Sequence, residues 1–105
     1  MIVLHIISEQ EIQAQRIIEI LLNKNLLLDA MLAKKEIYTL HKLTKKVTAN
    51  PYFLIVGQTK ALLFNEINEV LKTNFAKKMP VFYAVPIIYM DDNQTKNIKK
   101  NIQFV

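Results

Sequence analysis

Apolar and polar positions along the chain divide it into runs that predict strands and stretches that predict helices. Residues 2–7 are mostly apolar and β-branched, which is typical of a strand that is buried on both faces. Residues 52–57 and 81–89 form two further apolar runs without any charged side chain. We therefore expect three strands in these places, and each is followed by a stretch of different periodicity.

Two of those stretches carry apolar residues at the i, i+3, i+4 spacing of a helix with one buried face. The first presents Ala14, Ile17, Ile18, Leu21 and Leu22, and the second presents Leu63, Ile67, Val70 and Leu71. Ser8 and Glu11 have the spacing of a capping box, and Thr59 is the predicted N-cap of the second helix. A short third helix is predicted after Asp91 and Asp92, which would cap it.

Residues 26–49 allow two interpretations. Their mixed pattern, with an exposed lysine-rich turn at 42–46, favours a long hairpin of two antiparallel strands. The alternative is a short helix over residues 28–40, because Ala, Met, Leu, Lys and Glu are good helix formers. We prefer the hairpin because of the elements that flank it.

The resulting order is β-α-β-β-α-β, with a short C-terminal helix and a long central β-hairpin. This order predicts an α+β, ferredoxin-like fold with one antiparallel sheet and both long helices on one face. Pro86 lies inside the predicted last strand, which suits a sheet edge because proline cannot donate to a ladder. The other face of the sheet is apolar and has no cover within the chain, so we expect self-association.

Length and composition limit the class of protein. With 105 residues the chain is expected to form a single domain, 1–105. It contains no cysteine, and no apolar run approaches the roughly 20 residues of a membrane span. The first residues lack the basic region of a signal peptide. We therefore expect a cytoplasmic protein with no membrane partner.

The net charge is +5, and most of the lysines lie in three groups. They lie at residues 34–46, at residues 77–78 and at residues 96–100. Such groups indicate either an anion or nucleic-acid surface or solvated lysines that resist aggregation. Only one Arg is present and no aromatic residue alternates with the lysines, so a nucleic-acid partner is not expected.

Three stretches resemble the CutA divalent-cation-tolerance family, which is related in fold to the PII signalling proteins. Residues 26–30, LLLDA, resemble the start of that family's second strand, and residues 53–59, FLIVGQT, resemble its third. Residues 80–86, PVFYAVP, repeat the two-proline spacing around its fourth strand. Most polar signature positions differ; among them, Asp29 stands where the family has Cys and Gln58 where it has Lys. The resemblance implies a homotrimer whose sheets face inward and whose hairpins embrace neighbouring subunits.

Residue chemistry offers few candidate sites. There is no paired nucleophile and base and only one glycine, so we expect no enzyme activity and no phosphate-binding loop. His5 is the candidate ligand for a divalent metal ion, with a buried or interface histidine as the alternative. Tyr52, Thr59 and Lys60 are the candidates for an intersubunit cleft that binds a small anionic ligand.

Two functional hypotheses follow from the resemblance and the residues together. The first is a non-catalytic, homotrimeric binding or signalling protein that resembles CutA and is linked to divalent metal (copper) tolerance. The alternative is a PII-like sensor that binds an anionic metabolite or nucleotide at clefts between subunits.

Overall fold

Strands and helices alternate along the chain in a computed structural model that describes residues 1–103. The elements are β1 (Ile2–Ser8), α1 (Glu11–Asn23), β2 (Met31–Leu40), β3 (Val47–Thr59), a 3-10 turn (Ala61–Leu63), α2 (Phe64–Phe75), β4 (Val81–Pro86) and α3 (Asp92–Asn101). This order confirms the predicted α+β, ferredoxin-like arrangement and the hairpin interpretation of residues 26–49. No helix within residues 1–103 has the length and hydrophobicity needed to cross a bilayer.

The four strands form one sheet in the order β2-β3-β1-β4, and all neighbouring strands are antiparallel. β4 is an edge strand, as Pro86 predicted. β4 is shorter than the predicted run of residues 81–89, since it ends at Pro86. Pro86 pairs with Ile2, the first residue of β1, so the partner strand ends there and Tyr89 is 93% exposed.

The core lies between the helices and one face of the sheet. In β1 the residues Ile2, Leu4 and Ile6 are buried, and the residues between them are only half-buried. α1 and α2 bury the predicted stripes against this face, and Ile98 and Ile102 bring α3 into the same cluster. The buried apolar residues of α1, the 3-10 turn and α2 are Ala14, Ile17, Leu21, Leu63, Ile67 and Leu71.

Two of the predicted caps are wrong, and the third is confirmed. Ser8 and Thr59 are the last residues of β1 and β3, and both are buried on the helix side of the sheet. The N-cap residues are Gln10 for α1, Lys60 for the 3-10 turn and Leu63 for α2, and none of them makes a side-chain cap hydrogen bond. Asp91 does cap α3, because its carboxylate accepts a hydrogen bond of 3.0 Å from the backbone N–H of Gln94.

The β2–β3 hairpin projects from the domain as an arm, which we define as residues 34–52. Nearly all of its side chains are exposed, and the molecule reaches 52 Å in its longest dimension. The tip is closed by a hydrogen bond of 2.9 Å from the His41 amide to the Lys46 carbonyl. Lys45 has a left-handed φ of 59° within this turn. The arm therefore has a defined conformation, although little of it contributes to the core.

Candidate functional site

The sheet face that points away from the helices, which we call the open face, is apolar, and no other element within residues 1–103 covers it. Its members alternate with the buried residues and pair across the strands: Val3, His5 and Ile7 of β1, Leu54 and Val56 of β3, and Val81, Tyr83 and Val85 of β4. Val81, Tyr83 and Val85 are 65%, 47% and 43% exposed. A contiguous apolar surface of this kind is typical of a protein–protein interface.

His5 lies in the middle of the open face. It pairs with Val56 on one side and with Tyr83 on the other. Its Nδ1 is 3.0 Å from the Tyr83 hydroxyl, and the two rings meet edge to face with centroids 5.1 Å apart. No group of three or more His, Asp or Glu side chains within residues 1–103 is placed to hold a metal ion. Residues 1–103 of one chain therefore do not bring a metal-binding cluster together around His5.

The three candidate cleft residues are not brought together within one chain. Tyr52 and Thr59 are seven positions apart on β3, about 23 Å, and an odd spacing puts them on opposite faces of the sheet. Thr59 is fully buried, and its hydroxyl donates to the Leu26 carbonyl over 2.7 Å. The Lys60 ammonium donates to the Gln103 carbonyl over 2.7 Å. Thr59 and Lys60 thus bind the chain's own carbonyl groups.

Tyr52 has different surroundings. It lies beside Glu9 and Lys78 in a small groove of about 120 Å³ at the end of the sheet where β1 finishes and β4 begins. The Lys78 ammonium is 3.2 Å from the Glu9 carboxylate, and both side chains are more than half exposed. An exposed pair of this kind contributes little to stability, and it leaves the groove without a net charge.

A second cleft, at the base of the arm, combines residues that sequence reasoning did not connect. It has a volume of about 430 Å³ and lies between the start of β2, the end of β3 and the first turn of α3. Gln94 Nε2 donates to Gln58 Oε1 over 3.1 Å, and both side chains are half-buried. The polar lining also includes Asp29, and the apolar lining includes Met31 and Val56. We call this the base cleft.

Gly57 allows the base cleft to form. A Cβ atom at this position would lie 3.0 Å from both Leu27 methyl carbons and 3.4 Å from the Asp29 carbonyl oxygen. Because Gly57 has no side chain, the segment before β2 can lie directly against β3. The sequence offered one signal for this cleft, since Gln58 is a polar residue at the end of an apolar strand.

The lysines do not form one continuous basic surface along the chain. Lys42, Lys45 and Lys46 are exposed at the tip of the arm, and Lys99 and Lys100 lie in the last turn of α3. Their positive charges interact favourably with the negative C-terminal end of the helix dipole, which is a common structural use of basic side chains. The basic residues thus occupy separate parts of the structure.

Comparison with known proteins shows the class to which this architecture belongs. No protein-family model matches the sequence, and no curated protein is significantly similar to it. Solved structures, in contrast, match over nearly the whole chain. CutA1 from Pyrococcus horikoshii superposes with a TM-score of 0.84 at 14% identity, covering 99% of this chain and 100% of that one.

Two further structures agree with this match. The periplasmic divalent cation tolerance protein CutA from Archaeoglobus fulgidus has a TM-score of 0.82 at 20% identity, covering 98% of this chain and 100% of that one. CutA1 from Oryza sativa has a TM-score of 0.79 at 18% identity, covering 97% and 93%. The chain therefore has the CutA1 fold, and the resemblance seen in the sequence is confirmed at the level of structure.

Proposed function

We propose that this chain is a divergent CutA-like protein: a non-catalytic, homotrimeric binding or signalling protein linked to divalent metal tolerance. The observation that carries the proposal is the open face, an apolar sheet surface that the chain's own helices leave uncovered. The fold shared with CutA1 proteins supports the family assignment.

Self-association would bury the apolar side chains of the open face. Burial of apolar surface contributes about 25 cal/mol per Å², so covering Val81, Tyr83 and Val85 stabilises an assembly over separate chains. The arm supports the same conclusion, because Tyr38, Leu40 and Val47 expose more than half of their surface. Three copies are the number that the resemblance to the CutA family implies.

The mass of the protein in solution tests this assembly. Size-exclusion chromatography with light scattering is expected to give three times the protomer mass of 12.2 kDa. Val56→Lys places a charge in the centre of the open face and is expected to yield monomer. Ile12→Lys is the matched control, because Ile12 is 81% exposed on α1, away from the open face. A wild-type protein that remains monomeric at micromolar concentration would refute the proposal.

The link to metal tolerance requires more ligands than residues 1–103 of one chain bring together. We assign the metal contact to His5, with the remaining ligands supplied by neighbouring subunits, because imidazole is a common ligand for Cu²⁺ and Zn²⁺. Calorimetric titration with Cu²⁺ or Zn²⁺ is expected to give saturable binding that His5→Ala removes and His41→Ala retains. Absence of saturable heat would eliminate the metal link, and binding that survives His5→Ala would eliminate His5.

The proposed location is the cytoplasm, which the absence of cysteine supports. The Archaeoglobus fulgidus protein of the same fold is described as periplasmic. Fractionation of cells expressing the native gene decides between these compartments, and recovery in the periplasm would refute the cytoplasmic proposal.

A further inference from the structure

The tip of the arm, which we define as residues 41–46, combines an exposed leucine with three exposed lysines. The pairing of β2 with β3 ends at Leu40 and Val47, so the tip lies beyond the last pair of the sheet and belongs to neither sheet face. We propose that the tip binds the surface of an anionic lipid membrane, with Leu43 inserted below the headgroups and the lysines in contact with them. This departs from the expectation of no membrane partner, which rested on the lack of a spanning segment.

Positive charge is concentrated on the arm. Residues 34–52 contain five lysines and one glutamate, which gives the arm a net charge of +4 out of +5 for the whole chain. No acidic residue occurs in the sequence between Glu36 and Glu66, and no lysine of the tip forms an ion pair within residues 1–103. The charges at the tip are therefore available to an anionic surface, where each lysine strengthens binding about fivefold.

Leu43 favours a membrane over other anionic partners. Its side chain is 89% exposed and takes no part in the core cluster. Lys42 precedes it directly and Lys45 follows two positions later, so apolar surface and positive charge lie side by side. Membrane-surface segments bind by this combination of apolar burial and attraction to anionic lipids. A nucleic acid would favour Arg or stacked Phe, Tyr or Trp side chains, and the tip contains none of them.

Hydrogen bonds within the tip hold these side chains in one arrangement. The Lys45 backbone N–H donates to the His41 carbonyl over 2.8 Å, and the Thr44 backbone N–H donates to His41 Nδ1 over 3.3 Å. The Lys46 backbone N–H donates to the Thr44 hydroxyl over 3.4 Å. The turn is thus formed before any contact with lipid, which reduces the ordering cost of binding.

The tip is built within one chain and does not depend on the trimer proposed above. Burying its lysines between subunits would cost the hydration of each charge, so we expect the tip to stay exposed in an assembly. Leu43→Ser should therefore leave the mass in solution unchanged in size-exclusion chromatography with light scattering. A changed mass would place the tip in a subunit interface and would overturn the proposal.

Co-sedimentation with vesicles tests the partner. Vesicles of phosphatidylcholine with about one-third phosphatidylglycerol are expected to bind the protein at least tenfold more tightly than vesicles of phosphatidylcholine alone. Raising NaCl from about 0.1 M to about 0.5 M should weaken this binding at least tenfold, because salt screens exposed charges. Absence of binding to the anionic vesicles, or equal binding to both kinds, would overturn the proposal.

Variants separate the two contributions. Leu43→Ser is expected to weaken binding to the anionic vesicles about tenfold, and Lys42→Gln and Lys46→Gln about fivefold each. Leu62→Ser, at a position that is 76% exposed in the 3-10 turn, and Lys96→Gln, at an exposed position of α3, are the matched controls and should bind as the wild type does. Thermal unfolding confirms that each variant is folded. Full binding by Leu43→Ser with losses in both lysine variants would indicate a general polyanion surface, as for nucleic acid, and would refute the membrane assignment.

A fluorescent reporter tests insertion itself. The chain contains no tryptophan, so Leu43→Trp introduces a single indole at the tip. Its emission should move to shorter wavelength when the anionic vesicles are added, because the ring enters a less polar environment. Leu62→Trp is the control and should keep its emission. Bound Leu43→Trp protein with unshifted emission would show that the leucine position stays in water, against the proposal.

Discussion

Thr59 is the residue whose structural role differs most sharply from its sequence-based interpretation, and substitution measures that role. Its side chain is fully buried, and its hydroxyl donates to the Leu26 carbonyl over 2.7 Å. Thr59→Val keeps the shape but leaves this carbonyl without the hydroxyl, which costs about 1–3 kcal/mol. For a domain of about 100 residues, 1 kcal/mol lowers the Tm by roughly 4 °C, so we expect a decrease of about 4–12 °C.

Matched substitutions distinguish two roles of Thr59: a buried hydrogen bond to the Leu26 carbonyl, which we call the tether, and the predicted N-cap of the second helix. Thr48→Val makes the same chemical change at an exposed position of β3 and is expected to move the Tm by less than about 2 °C. If Thr59 were an N-cap, Thr59→Asp would be tolerated, because Asp is a preferred N-cap residue. If Thr59 forms the buried tether, Thr59→Asp buries a carboxylate and should lower the Tm far more than Thr59→Val does. Differential scanning calorimetry at one fixed protein concentration makes this comparison, because assembly would make the Tm concentration-dependent. Equal Tm values for Thr59→Val and Thr48→Val would refute the tether.

Two further predictions concern the boundaries of the base cleft. Asp91→Ala removes the cap on the Gln94 amide and should destabilise the protein by about 1 kcal/mol in urea unfolding, whereas Asp91→Ser should retain most of the stability. Equal losses for both variants would contradict the cap. Gly57→Val adds side-chain atoms where a Cβ alone would already lie 3.0 Å from Leu27 methyl carbons, so overpacking should cost about 1–3 kcal/mol. Adding Leu27→Ala to Gly57→Val should recover part of that loss, and additive losses would contradict the proposed contact.

The helix stripes were predictable because each long helix buries one face against a sheet that the chain itself supplies. The two wrong caps have a common cause. Ser8 continues the alternation of Ile2, Leu4 and Ile6, and Thr59 continues that of Ile55, so the parity of the strand places both hydroxyls inside the core. Capping preferences describe isolated helix ends, and here the strand register overrides them.

The arm was ambiguous for the opposite reason. Most side chains of β2 are exposed, so no alternation of buried and exposed residues marks the strand in the sequence. Its conformation comes from pairing with β3 over ten register positions, from Met31 with Val56 to Leu40 with Val47. Local propensity favoured a helix there, and tertiary pairing decided for a strand.

The base cleft combines the shared fold with two residues that differ from the CutA pattern described in the sequence analysis. The buried apolar residues keep the architecture of the CutA1 proteins at low sequence identity, because a core requires hydrophobic residues of suitable volume and tolerates many substitutions. Asp29 and Gln58, two positions where this sequence departs from the family's pattern, both line the base cleft. Glutamine in place of lysine removes a cation, and aspartate adds an anion to the same cavity. Both changes make the lining of the base cleft less favourable for anions and leave the core unaltered.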